Sequence, residues 1–229
     1  MAKMNKIVSD QFFESPPAKI IQSAMNIDIW KFPACQDDEK LLTGQEVILA
    51  NRFYHKEDRH RFITGRKALR TLASEYLHVL PENIEVSFGL NKKPFISNPQ
   101  RKLYFNLSHS GNWILIAFAS IELGIDIEQI KTDFSIEDMM SNYFNEAEQK
   151  YIIDHPNPRD AFFILWTRKE ALMKAWGTGL QDNLQEISSM EDPLWQFLSF
   201  RISSEYPAAL VYAGLEKNIS YYDGRFLLP

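Results

Sequence analysis

The sequence predicts an α+β protein built from two similar halves, on three observations. Residues 26–119 read as strand, helices, strands, and residues 120–229 repeat that order of elements. The composition is ordinary for a packed globular chain: 229 residues, 45% hydrophobic and 24% charged, enough for one large domain or two small ones. The longest apolar stretch, Trp113 to Ala119, is seven residues, whereas a membrane span needs about 20. The likeness of the halves lies in element order, because the residues themselves show no repeat.

Residues 1–25 are of mixed polarity, are broken by Pro16–Pro17, and read as a loose N-terminal extension. Asn26 to Phe32 alternates apolar and polar as a strand does. Thr43-Gly-Gln-Glu46 is a capping box that opens a short helix. A longer helix is expected from about Lys56 to Val79, ended by Pro81. Strands follow near 83–88, 94–97, 103–107, 113–119 and 122–128, with turn residues between them. Helices resume near 135–142 and 145–154. Asn157-Pro158 is a start signal, with Asn as N-cap and Pro at the first helical position. That helix runs through Trp176 to the stop at Gly177-Thr178-Gly179. Strands near 197–202, 208–213 and 218–222 close the chain. The expected organisation is an extension over 1–25, an N-terminal subdomain over 26–119 and a C-terminal subdomain over 120–229.

Several function classes are excluded or disfavoured. Cys35 is the only cysteine, so an intramolecular disulfide and a zinc site of several thiolates are impossible. The first 20 residues lack a signal peptide's apolar core, and a cytoplasmic protein with no membrane partner is expected. The net charge of −5 argues against general nucleic-acid binding. There is no P-loop and no G-x-G-x-x-G, and Asn106 stands where a G-x-S-x-G serine hydrolase needs glycine.

Charge is unevenly placed. Residues 51–70 carry seven Lys or Arg and two acids, while 121–148 carry eight acids and one lysine. Two solvated helix faces would account for this. So would a basic surface for a polyanion beside an acidic site for a cation, which a phosphorylated substrate carried with a divalent metal needs.

Four groups of residues could carry chemistry. In Gly124-Ile-Asp126-Ile-Glu128, strand alternation puts both carboxylates on one face. They stand about 7 Å apart along the strand, either as a solvated edge or as hard ligands for Mg²⁺. In Trp166-Thr-Arg-Lys169-Glu170-Ala-Leu-Met-Lys174, Glu170 and Lys174 share a helix face. Their flanks are nearly all apolar, and charges on a buried helix need partners. Asn106-Leu-Ser108-His109-Ser-Gly111 is a strand ending in a small polar turn with one histidine, structural or functional. Arg66 in the basic helix and Lys93 before Pro94 are ordinary surface cations that could also contact phosphate.

Taken together, FYHKED at 53–58, GR at 65–66, KP at 93–94, FNLSHSG at 105–111, GIDIE at 124–128 and WTRKEALMK at 166–174 resemble the 4′-phosphopantetheinyl transferases of the surfactin-synthetase-activating type. The resemblance spans about residues 26–215. It implies a monomer of two pseudo-symmetric α+β subdomains, each a small mainly antiparallel sheet packed with helices, with coenzyme A in the cleft between them. It also implies Mg²⁺-dependent transfer of the phosphopantetheine arm of coenzyme A to a serine of an apo acyl or peptidyl carrier protein, leaving 3′,5′-ADP. Asp126, Glu128 and Glu170 match the Mg²⁺ ligands. Glu170 also matches the base for the carrier serine, and Lys174 the lysine at the pyrophosphate. These two and His109 are the catalytic candidates. Ser108 and His109 match coenzyme A phosphate contacts, Lys93 and Arg66 positions used for the nucleotide phosphates, and Glu148 an acid near the site. Some members carry lysines before the FYHKED-like stretch. Here Leu41 to Asn51 has no Lys or Arg, and Phe62 replaces a small hydroxyl residue, so Arg52 and Arg66 are assigned to the 3′-phosphate. The rivals are a non-catalytic carrier-binding module and a metal-dependent nuclease. The first should have lost a metal ligand or Lys174, and the second should have a broader basic surface.

Overall fold

The structure is a computed structural model that describes residues 13–17, 20, 26–35, 37–89, 93–97, 103–179 and 183–228. In chain order the elements are β1 (Asn26–Pro33), α1 (Gly44–Ala50), α2 (Lys56–Leu77), β2 (Val86–Phe88), β3 (Pro94–Ile96), β4 (Tyr104–Ser110), β5 (Trp113–Ala119), β6 (Leu123–Ile127), α3 (Ile136–Tyr143), α4 (Glu146–Asp154), α5 (Pro158–Trp176), β7 (Trp195–Ser203), β8 (Tyr206–Ala213) and β9 (Asn218–Asp223). The class is α+β, as the element order predicts. None of the described helices is long and apolar enough to cross a membrane.

The chain divides into two compact units. One comprises Phe12–Ser87, Pro94–Ser120 and Lys217–Pro229, and the other is centred on Ile121–Glu216 with Phe88–Lys93. In the first, the sheet order is β4-β5-β1-β9. β1 runs antiparallel to β5, with Trp30 opposite Ile116, and parallel to β9, with Ile29 opposite Tyr221. The inner face of α2 packs Leu69, Leu72 and Tyr76 against Trp30, Phe32 and Phe118 of the sheet. The polar tips inside this core are satisfied in series. Trp30 Nε1 donates to the Tyr76 hydroxyl at 3.0 Å, and that hydroxyl donates to Asp28 Oδ2 at 2.7 Å. Burial raises the Asp28 carboxyl above its usual range, with the Tyr76 bond opposing.

In the second unit, the antiparallel sheet β6-β8-β7 puts Asp126 opposite Ala209. α5 contributes Ala171, Leu172 and Ala175 to a cluster with Phe197, Ala209 and Val211 of that sheet. Its N-terminal half packs Phe162, Phe163 and Leu165 against Ile136, Phe144 and Ile152 of the α3–α4 region. Asn157 caps α5 by accepting from Asp160 N at 3.2 Å, Pro158 fills the first position, and Gly177 ends the helix at φ 70°.

Four readings change. The strand expected near 218–222 forms, but as β9 it joins the first unit's sheet, so 120–229 is not one unit. Periodicity marks a strand without naming its partner. The extension over 1–25 is not uniformly loose where it is described. Glu14 bridges Tyr222 through Glu14 N to Tyr221 O at 2.9 Å, and Ile20 is buried in the core. Residues 1–12, 18–19 and 21–25 of the extension lie outside the described ones. The long helix stops at Leu77 rather than Val79 because His78 turns left-handed, at φ 57°. The strand through Ser108 and His109 continues to Ser110, and the turn comes at Gly111, φ 52°.

Candidate active site

The site in the second unit begins with a close approach of backbones. Gly124, Asp126 and Glu128 occupy alternate positions along and just past β6, so they share a face. A Cβ on Gly124 would lie 2.0 Å from Ala171 O and 2.5 Å from Ala175 N of α5. Only glycine lets the strand touch the helix there. Ile125 and Ile127, on the other face, are fully buried.

That contact brings Glu170 and Lys174, one helical turn apart, to Asp126. Lys174 Nζ donates to Asp126 Oδ1 at 2.5 Å and lies 4.0 Å from Glu170 Oε2. The Asp126 side chain is 2% exposed, against 29% for Lys174. Burial, then repulsion from Asp126, pushes the Glu170 carboxyl up to about 7; Lys174 opposes this and Glu128 adds to it. Burial disfavours the Lys174 ammonium, but Asp126 and Glu170 outweigh that and raise its pKa. The arrangement is three carboxylates that feel one another and one ammonium that offsets them.

Among the described residues, no three His, Cys, Asp or Glu side chains are gathered closely enough to hold a metal as they stand. The chemistry of the donors nonetheless fits a hard divalent cation. All are carboxylate oxygens, and the mutual repulsion that raises Glu170 is what such a cation would relieve.

Other expected site residues are placed differently. Lys93, in the same unit, directs its ammonium to Ala175 O at 2.6 Å and Leu123 O at 3.4 Å. Its stem lies against Gly177, and burial lowers its pKa. It caps one C-terminal carbonyl of α5 and reaches the start of β6, a task that nothing in the Lys93-Pro94 dipeptide announces.

Arg52, Arg66, Ser108 and His109 belong to the first unit. Ser108 is buried and His109 is exposed. As neighbours in β4 they point to opposite faces of the sheet. Arg66 lies 3.7 Å from Glu46 and 5.2 Å above the Phe62 ring. Burial lowers its pKa, with Glu46 opposing.

Much of the basic block is met by the chain's own acids. Arg59 pairs with Asp37 and with Glu39 at 2.6 Å. Lys67 pairs with Asp38 at 2.5 Å, Arg70 with Glu46 at 3.0 Å, and Arg61 with Asp58. Arg52 and Lys56 are exposed. The sequence marks the partner run Asp37-Asp38-Glu39 only by three consecutive acids shortly before a basic block.

A carboxylate–ammonium cluster shared by a strand and a helix suits an enzyme that transfers an anionic group. Comparison with known proteins specifies which. The model of the 4′-phosphopantetheinyl transferase superfamily matches residues 122–221, and that of the 4′-phosphopantetheinyl transferase N-terminal region matches 20–121. The 4′-phosphopantetheinyl transferase HetI of Nostoc sp. is 30% identical over 219 residues, 86% of this chain and 92% of that protein. The 4′-phosphopantetheinyl transferase Sfp of Bacillus subtilis is 36% identical over 139 residues, 60% of this chain and 61% of its own. The L-aminoadipate-semialdehyde dehydrogenase-phosphopantetheinyl transferase of Schizosaccharomyces pombe is 30% identical over 193 residues, 76% of this chain and 74% of its own. The chain belongs to the 4′-phosphopantetheinyl transferase superfamily, a family of enzymes.

Proposed function

We propose that the protein transfers the 4′-phosphopantetheine arm of coenzyme A to a serine of an apo acyl or peptidyl carrier protein, with Mg²⁺ as cofactor and 3′,5′-ADP as the other product. The observation that carries this reading is the cluster of Asp126, Glu170 and Lys174, in which the Lys174 ammonium lies 2.5 Å from Asp126 Oδ1 and 4.0 Å from Glu170 Oε2. Glu170 takes the proton of the carrier serine as its oxygen attacks the β-phosphorus of coenzyme A. The bond from that phosphorus to the bridging oxygen breaks, and the leaving oxygen departs on 3′,5′-ADP. Lys174 offsets the negative charge on the departing phosphate, where most catalysis of phosphoryl-type transfer lies. Asp126, Glu128 and Glu170 would hold Mg²⁺, which supplies further charge stabilisation at the phosphate oxygens. Exposed Arg52 and His109 are suited to nucleotide phosphates, with Ser108 and Arg66 assigned to the same task. Lys93, whose ammonium meets Ala175 O at the end of α5, is likewise assigned to the nucleotide phosphates. We further read the protein as a cytoplasmic monomer with no nucleic-acid or membrane partner.

The test is incubation with coenzyme A, Mg²⁺ and a panel of apo carriers, read by intact mass. Carrier gaining one phosphopantetheine arm is the expected result. No gain on any carrier, with coenzyme A still bound, would favour a non-catalytic carrier-binding module.

A further inference from the structure

Three consecutive ionisable residues of α5 point three ways. Arg168 Nε donates to Ser199 Oγ of β7 at 2.6 Å. Lys169 turns into the α4 side of the unit. Glu170 faces β6. Successive helix residues are about 100° apart, so fixing the first two fixes the direction of the third.

The Lys169 tie is unusually complete. Both Lys169 and Glu148 have fully buried side chains, with the ammonium 2.9 Å from Glu148 Oε2. Lys169 Nζ also donates to Leu184 O at 2.8 Å and Ile187 O at 2.5 Å. Glu148 Oε2 accepts from Asn145 N at 2.9 Å, and Oε1 accepts from Ser189 N and Ser189 Oγ, each at 2.6 Å. One ion pair thus joins the cap of α4, the middle of α5 and the segment 184–189. A buried ion pair adds little stability over apolar residues of similar volume. What this one supplies is a defined register among three backbone segments.

We propose that Lys169 and Glu148 are positioning residues: their pair locks segment 184–189 to α5 and thereby sets where Glu170 stands relative to Asp126 and Lys174. This rests on the transferase reading for its kinetic consequence, but not for its structural one.

The experiment compares the full chain with Lys169→Met and with the double variant Glu148→Gln/Lys169→Met. Melting temperature, transfer kinetics and amide hydrogen exchange are measured for each. Lys169→Met strands a buried carboxylate, so its melting temperature falls. The double variant removes both charges and recovers most of that loss. Its kcat stays at least tenfold below wild type, while the KM for coenzyme A stays within threefold. Exchange quickens at the Glu170 turn and over 184–189. Ser189→Ala loosens only the Glu148 end and should fold in any case. It is expected to lower kcat several-fold at an unchanged KM. Recovery of kcat together with melting temperature in the double variant would overturn the proposal, as would unchanged exchange at the Glu170 turn. If wild type modifies no carrier, the transferase reading fails, and hydrogen exchange still decides the lock.

Discussion

The Lys174 ammonium rests 2.5 Å from Asp126 Oδ1, so the helix supplies the counter-charge for a carboxylate that the strand buries. Removing one partner of a buried pair costs roughly 3–5 kcal/mol, and Lys174 keeps some exposure. Lys174→Met is therefore expected to destabilise the apo protein by about 2–4 kcal/mol. Millimolar Mg²⁺ should raise the melting temperature of this variant more than that of wild type. Thermal melts with and without the cation check both effects.

Glu170 should make the apo protein more stable in mild acid. Its folded pKa, about 7, lies above the ordinary 4.5. The folded state therefore holds the proton more tightly. That contribution is fully present below about pH 4.5 and is lost as the pH rises through about 7, amounting to about 3 kcal/mol. In chelator, the stability difference between Glu170→Gln and wild type should widen from pH 5 to pH 8 in favour of Gln. Urea unfolding at several pH values measures it.

Glu170→Gln keeps the shape and a carbonyl oxygen but cannot accept a proton. Coenzyme A with Mg²⁺ should bind within about tenfold of wild type, or 1.4 kcal/mol. Turnover should fall by about 10²–10⁴. Parallel losses in binding and turnover would make Glu170 chiefly a ligand. Near-normal transfer would refute the proposed base.

Gly124→Ala forces a methyl into the space held by Ala171 O. Overpacking costs about 1–3 kcal/mol, and the helix must move away from the strand to accept it. The variant should melt lower. Its Glu170 pKa should also fall toward the ordinary value, because the displaced helix opens Glu170 to solvent and carries it from Asp126. Titration of Glu170 by NMR in the two proteins tests this second effect.

What could be read in the sequence was local. The Thr43–Glu46 capping box forms with both of its bonds, and Asn157-Pro158 begins α5 as the residues dictate. The alternation of Gly124, Asp126 and Glu128 gave the shared face because strand geometry needs no partner. The spacing of Glu170 and Lys174 gave their common side for the same reason. Non-local facts were not legible. Nothing within Asn218–Asp223 says that it lies beside β1. Nothing near Lys93 says that its ammonium ends a helix more than eighty residues later. In the sequence Glu148 is legible only through the resemblance, as an acid near the site. Only the fold reveals that the same carboxylate also binds Lys169 and Ser189.

The parallel pairing of β9 with β1 has a consequence for biosynthesis. The ribosome delivers β1 early, but its neighbour on that edge emerges only after β6, β7, β8 and α3 to α5. Until then one side of β1 presents unpaired peptide groups to other nascent or misfolded chains. The unit that contains β1 is thus the last that can be completed. The nascent chain should keep this edge vulnerable to chaperone capture or aggregation until Asn218–Asp223 has left the exit tunnel.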